Sequence, residues 1–189
     1  MVTVRSDEER VLSIINFFKD YKFYILSVVL VITISVGGYF FSERVKSNQI
    51  LAAKVLYEDW EVTSVQEDRE ELFQNLTENY SDTGYSHLAL LKRGSDLAKE
   101  NNLMESIDVF YQLKENSDGF FGNSLMNGIA RTNIARISIA LGNFEDALKV
   151  LEKYSNDEDA YTHELKGDAL SGIGNDDLAL QQYQSAFEK

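Results

Sequence analysis

The chain has 189 residues, with 18 basic and 31 acidic side chains, no cysteine and no proline. This length allows one ordinary domain with an appendage. The absence of cysteine excludes disulfides, thiolate metal sites and cysteine nucleophiles, and His87 and His163 alone make a histidine-built zinc site improbable. A formal charge of -13 repels phosphate backbones, so we expect no nucleic acid partner.

The first predicted element is an apolar segment at 23–42, which holds 20 consecutive uncharged residues. As a helix it would be about 30 Å long, the hydrocarbon thickness of a bilayer. Lipid offers the backbone no water, so a spanning segment must be helical despite its β-branched residues. The alternative is that this segment forms a pair of buried strands. We predict a transmembrane anchor at 23–42, preceded by a short N-terminal segment at 1–22.

The anchor is predicted to remain uncleaved, because signal peptides have shorter apolar cores followed by small residues, and no alanine precedes Ala52. Four basic residues precede the anchor and three closely follow it, which only slightly favours a cytoplasmic N-terminus. Apolar residues at helical spacing in 8–22 predict a surface-lying helix before the chain turns into the bilayer. Thr33 and Gly37 lie four residues apart and are the candidate membrane-contact residues.

Beyond the anchor, the apolar residues follow a helical spacing throughout. Two helices are predicted first, one around Ile50–Trp60 and a shorter one around Leu72–Leu76. Three longer stretches then share one framework of two helices joined by a turn. These stretches begin at Leu90, Arg131 and His163.

Within each stretch, a small residue of the first helix is spaced to meet a small residue of the second. Two helices cross closely only where no bulky side chain intervenes. The predicted pairs are Gly94 with Ser106, Ala135 with Ala147, and Gly167 with Ala179. The turn needs a residue that tolerates positive φ. The turn residues are Asn101, Gly142 and Gly174. Apolar residues are predicted to fill the inter-repeat positions: Leu97, Ile107, Phe110, Ile134, Phe144, Leu148, Leu151, Leu170, Leu180, Tyr183 and Phe187.

This framework resembles the tetratricopeptide repeat. The predicted fold class is therefore all-α, with an N-terminal transmembrane helix followed by a tetratricopeptide-like α-solenoid of helical hairpins at 43–189. The repeats are predicted at about 87–116, 128–155 and 160–189.

A loop insertion is predicted in the first connection between repeats. The predicted turns are 41 and then 32 residues apart, against a nominal period of about 34. The insertion falls at 116–127 and holds the adjacent aromatics Phe120 and Phe121. These rings are either buried staples under the loop or an exposed contact for a client protein.

The order of parts resembles a known family. A stretch reading NFFKDYK, an anchor that continues as GGYFFSERVKSNQILAAKVLYEDW and a last hairpin reading LKGDALSGIGNDDLALQQYQSAFEK are similar to the YfgM-type ancillary subunit of the bacterial SecYEG translocon. The resemblance implies a single-pass protein of the cell inner membrane, with its N-terminal segment 1–22 in the cytoplasm and its repeat domain in the periplasm. It further implies binding to the SecYEG translocon and to a PpiD-like membrane-anchored chaperone, assisting unfolded secreted clients.

Stacked hairpins present a concave face lined by their first helices. By analogy with other such repeats, the concave positions are Leu91, Ser95, Ala98, Thr132, Arg136, Ile139, Glu164, Asp168 and Ser171. Together with Phe120 and Phe121, this mixed lining is the candidate protein-binding surface. The alternative is that these residues belong to solvated helix faces with no binding role. The lining lacks the Lys and Arg cluster that holds a terminal carboxylate.

The sequence offers little for catalysis. His163 and Glu164 begin an H-E-x-x-H zinc pattern, but Gly167 stands where the second histidine belongs. A nucleophile elbow, a P-loop and a dinucleotide fingerprint are all missing. We predict a non-enzymatic accessory protein without metal or cofactor. The alternatives are an anchored scaffold for another envelope complex and an enzyme with an unrecognised pocket at His87 or His163.

Overall fold

A computed structural model describes residues 7–120, 122–152 and 159–189, with side chains described from residue 10 onward. Over these ranges every regular element is an α-helix and no strand occurs, which confirms the predicted all-α fold class. The helices are α1 (Asp7–Val62), α2 (Gln66–Asn79), α3 (Gly84–Lys99), α4 (Leu103–Asn116), α5 (Ser124–Ala140), α6 (Phe144–Glu152), α7 (Ala160–Gly172) and α8 (Asp176–Glu188).

The chain divides into two units, Met1–Asn48 and Gln49–Lys189. In the described part of the first unit, α1 is long and apolar enough to cross a membrane, and its aliphatic and aromatic side chains are exposed. The prediction of a turn near residue 22 is wrong, because α1 is one uninterrupted helix there. The chain has no proline and its first glycine is Gly37, so neither of the strongest helix breakers lies near residue 22.

The second unit is built from helical hairpins. The pairs α3–α4, α5–α6 and α7–α8 each pack internally, and each hairpin packs on the next. Their shared core is fully buried at Leu90, Phe110, Ile134 and Leu151. Successive hairpins therefore form one continuous hydrophobic core, which is the property of a solenoid.

The last part of α1 belongs to this core through Trp60. Its ring is 2% exposed and lies 5.9 Å, between ring centroids, from Phe73 of α2. The guanidinium of Arg69 lies 4.9 Å from the indole centroid. Lys92 of α3 forms an ion pair with Glu61 at 2.5 Å. Because these contacts join α1, α2 and α3, they close the N-terminal end of the repeat core.

The predicted small-residue pairs are confirmed as sites of close helix crossing. All six of these residues are buried. The Ser106 hydroxyl donates a hydrogen bond to the Gly94 carbonyl oxygen at 2.7 Å. A Cβ added to Gly94 would lie 2.9 Å from Cζ of Phe110, and one added to Gly167 would lie close against the ring of Tyr183. An aromatic ring of the second helix thus fills the space that the glycine leaves.

The predicted turn residues are also confirmed. Asn101, Gly142 and Gly174 have φ values of 66°, 78° and 80°. In each turn the next residue, an asparagine, donates its backbone N–H to a carbonyl five residues earlier in the first helix, at 2.8, 2.8 and 2.9 Å. These bonds satisfy the carbonyls that a helix end leaves unpaired.

The prediction that the third repeat fills an inter-repeat core is wrong for α8. Leu180, Tyr183 and Phe187 are 58%, 37% and 94% exposed. The equivalent faces of α4 and α6 are covered by the first helix of the next hairpin, α5 and α7. Within the ranges that the structure describes, no further hairpin packs on α8.

Replacing Gly94 with leucine is expected to lower the free energy of unfolding by about 1–3 kcal/mol, because the new side chain overpacks the crossing against the buried Phe110 ring. The measurement is thermal unfolding of the full chain, followed by circular dichroism. The matched control is Gly84→Leu, at a glycine of the same helix where nothing lies within 4 Å of an added Cβ. Equal stability of the two variants would contradict the assignment of Gly94 as a crossing point.

Candidate functional site

The first helices of the first two hairpins, α3 and α5, flank an open cleft of about 620 Å³. Both helices contribute small or apolar side chains to its lining, and each contributes one basic side chain. The residues that line the cleft are Ser95, Ala98, Lys99, Leu103, Asn133, Arg136, Ile137 and Ala140. We call this the α3–α5 cleft.

The polar groups of the α3–α5 cleft are held by neighbours on their own helices. Lys99 Nζ forms an ion pair with Asp96 at 2.9 Å, and Arg136 Nη2 donates to Asn133 Oδ1 at 2.8 Å. The Ser95 hydroxyl donates to the Leu91 carbonyl oxygen at 2.7 Å. A lysine has three N–H donors and an arginine five, so both cations keep donors for a ligand. The cleft therefore combines apolar walls with positive charge in a chain of charge -13.

The predicted concave residues of the first two hairpins fall into two groups. Ser95, Ala98 and Arg136 line the cleft. Leu91 and Ile139 instead pack against the hydrophobic core, where they stabilise the fold. Thr132 directs its hydroxyl to the Gly128 carbonyl oxygen at 3.1 Å, which places that group on its own helix backbone.

Lys99 and Asn133 were missed by reasoning from the sequence. Lys99 lies four residues after Ser95, and therefore one turn further along the same helix face. Asn133 lies three residues before Arg136. The helical spacing alone could have extended the predicted stripe to both residues, had it been followed beyond the middle of each helix.

The remaining predicted protein-binding residues lie elsewhere. Glu164 and Asp168 are exposed on α7, and Asp168 Oδ1 accepts a hydrogen bond from the Tyr183 hydroxyl at 2.9 Å. Phe120 is 95% exposed in the connection between α4 and α5, so the alternative of a buried staple is wrong for this residue. Phe121 lies outside the described residues.

The predicted membrane-contact face of α1 has an open surface at its glycine. The Thr33 hydroxyl donates to the Val29 carbonyl oxygen at 2.8 Å, and no atom lies within 4 Å of a Cβ added to Gly37. A helix face of this kind admits a neighbouring helix closely. That neighbour remains a prediction.

Neither histidine lines the α3–α5 cleft. His87 is 3% exposed, and its Nε2 lies 3.2 Å from the Asn116 carbonyl oxygen, joining α3 to the end of α4. Burial lowers the pKa of His87 below its ordinary 6.5, against smaller opposing effects of that hydrogen bond and of the Asp82 charge. His163 Nδ1 lies 2.8 Å from Gln182 Oε1 within the last hairpin. Both imidazoles thus tie the two helices of one hairpin together.

Comparison with known proteins places the fold in a family. The family model of the Tetratricopeptide repeat-like domain matches residues 16–189, and the chain belongs to that family. No curated protein and no solved structure matches it. Proteins built from such repeats are typically non-enzymatic scaffolds that bind other proteins. The match supports the resemblance to tetratricopeptide repeats. It does not extend to the YfgM-type subunit of the translocon.

The stability of the repeat domain is expected to depend on pH through His87. Its folded-state pKa lies below the unfolded value of 6.5, so the unfolded state binds more protons as the pH falls. The contribution is present above pH 6.5 and is lost as the pH falls towards the folded-state pKa. The free energy of unfolding should therefore fall less between neutral and mildly acidic pH in His87→Gln than in the unmodified chain. The measurement is denaturant titration of the full chain at each pH. His163→Gln is the control. An unchanged pH slope in His87→Gln would contradict a buried neutral imidazole.

Proposed function

We propose that the chain is a non-enzymatic accessory subunit of the Sec translocon, which binds the channel and a PpiD-like periplasmic chaperone and assists secreted proteins after translocation. The proposal joins two observations: a helix apolar enough to anchor the chain and a repeat domain of a protein-binding family. The order of these parts, and the resemblance of the flanking sequences to the YfgM-type subunit, support this particular assignment.

The α3–α5 cleft is the observation that carries the proposal. Its walls suit apolar side chains, while Lys99 and Arg136 suit acidic ones. The groups exposed there offer hydrogen bonds and charge without an activated nucleophile, so the cleft can bind a segment but has no evident means to cleave it. An extended or helical segment of a partner with apolar and acidic residues fits this lining best.

The proposed topology gives each part a location. The segment 1–22 is cytoplasmic, 23–42 crosses the inner membrane and 43–189 lies in the periplasm. The aromatic residues near both ends of the anchor, such as Tyr24 and Tyr39, favour the two headgroup levels. The acidic repeat domain then stands beside the exit of the channel, where secreted clients emerge unfolded.

A second candidate is an anchored scaffold of another envelope assembly complex. It uses the same anchor and the same cleft, and it differs only in the partner. Partner identity therefore decides between the two candidates.

Photo-crosslinking from the α3–α5 cleft tests the proposal. A photoreactive amino acid at Ala140, which lines the cleft, is expected to capture the Sec channel or a membrane-anchored chaperone in intact membranes. Arg136→Glu should lower the yield by about tenfold, because a reversed charge at the rim repels an acidic segment. The crosslinked products are identified by mass spectrometry.

The control position is Met104, which is 64% exposed on α4 and does not line the cleft. Products common to Ala140 and Met104 count as background. Capture of a different envelope complex at Ala140 would support the second candidate, and capture of cytosolic proteins alone would contradict both.

A further inference from the structure

The outer face of α8 has an exposed apolar stripe, and its central residue, Tyr183, occupies a position that is buried in the earlier hairpins. Leu180, Tyr183 and Phe187 lie at helical spacing i, i+3 and i+7 and are all exposed. We call these three residues the α8 stripe. Its position on the last hairpin is distinct from the α3–α5 cleft.

Equivalent positions show what normally covers such a stripe. Tyr183 lies four residues after the small residue Ala179, as Phe110 follows Ser106 and Leu151 follows Ala147. Phe110 and Leu151 are fully buried, whereas Tyr183 is 37% exposed. In each buried case, the first helix of the following hairpin packs over the second helix: α5 over α4 and α7 over α6. At both equivalent positions, the covering element is therefore an α-helix.

The geometry beneath Tyr183 matches that beneath Phe110. A Cβ added to Gly167 would meet the Tyr183 ring, as one added to Gly94 would meet the Phe110 ring. The ring of Tyr183 is therefore seated in the position that, in the first hairpin, forms the floor of a helix-packing surface. A helix that packs on this surface would therefore meet a ring that its own hairpin already holds in place.

The charge beside the α8 stripe selects the kind of helix. Asp168 Oδ1 accepts a hydrogen bond from the Tyr183 hydroxyl at 2.9 Å, and Glu164 lies one turn earlier on α7. The pKa of Tyr183 is raised, first by burial and then by the hydrogen bond and charge of Asp168 and the charge of Glu164. Both carboxylates therefore lie close enough to Tyr183 to influence its hydroxyl. The equivalent positions of the other hairpins are Leu91 and Ser95, and Thr132 and Arg136. The acidic pair is thus specific to the last hairpin.

From this arrangement we infer that the α8 stripe and the Glu164–Asp168 pair form a docking surface for an amphipathic, basic α-helix of a partner protein. The apolar face of that helix covers Leu180, Tyr183 and Phe187. Its Lys or Arg side chains pair with Glu164 and Asp168. This surface is additional to the cleft that carries the proposed function, and a scaffold with both can hold two partners at once.

The chain itself supplies a probe of the required chemistry. The α5 sequence, Ser124–Ala140, is a helix that covers an equivalent surface in the first hairpin, and it carries Arg131 and Arg136 with no acidic residue. A labelled peptide of this sequence is titrated with the full chain in nanodiscs, with empty nanodiscs as the blank. We expect saturable binding that weakens as the salt concentration rises.

Two variants of the full chain locate the binding. Leu180→Ser with Phe187→Ser should weaken peptide binding by at least about tenfold, because exposed apolar anchors are lost. Leu125→Ser, at a leucine that is 66% exposed on α5, is the matched control and should bind as the unmodified chain does. Glu164→Gln should weaken binding less and reduce its salt dependence. A peptide with Arg131→Gln and Arg136→Gln should bind more weakly to the unmodified chain.

The outcomes separate this inference from its competitors. Absence of saturable binding, or equal binding by the Leu180→Ser, Phe187→Ser chain, overturns it. Sedimentation that shows a dimer of the full chain, dissociated by Phe187→Ser, makes the α8 stripe an interface between copies and overturns it too. Leu180→Ser with Phe187→Ser should leave crosslinking from Ala140 in the α3–α5 cleft unchanged, so failure of the cleft and failure of the α8 stripe are distinguishable.

Discussion

Close crossing of two helices at a small residue is the constraint on which the repeat domain depends. At Gly94 and Gly167 the second helix places an aromatic ring directly over the missing Cβ. The Ser106 hydroxyl adds a hydrogen bond to the backbone of the first helix at 2.7 Å. The crossing fixes the distance between the helices of a hairpin, and the hairpins then stack into one core. Both candidate binding surfaces follow from that stacking, since each lies on helices whose spacing it sets.

The charges divide the acidic chain into surfaces of different character. The α3–α5 cleft carries Lys99 and Arg136, while the last hairpin carries Glu164 and Asp168 beside exposed apolar side chains. In the two proposals, one surface is therefore complementary in charge to acidic segments and the other to basic ones. Complementary charge steers partners and selects between them more than it adds affinity. A scaffold with two such surfaces can keep two partners in a fixed arrangement without performing any chemistry itself.

The sequence predicted those features that depend on local backbone sterics. Asn101 and Gly142 were identified because a positive φ restricts the residue type, and the small pairs because a close crossing excludes bulk. Features that depend on neighbouring elements were not predictable in the same way. The exposure of Phe187 depends on whether another helix packs on α8, and the helical pattern is the same in either case. Lys99 follows Ser95 by one helical turn and was within reach of the pattern, whereas the cleft itself exists only because α3 and α5 lie side by side.

The sidedness of the repeat domain tests the central claim, an anchored scaffold facing the periplasm, most directly. Cells are converted to spheroplasts and treated with a protease, and the domain is followed with an antibody raised against it. A cytoplasmic protein serves as the control for membrane integrity. The account predicts that the domain is degraded in spheroplasts while that control protein stays intact. A domain that resists the protease until detergent opens the membrane, or that is recovered in the soluble fraction, would contradict it.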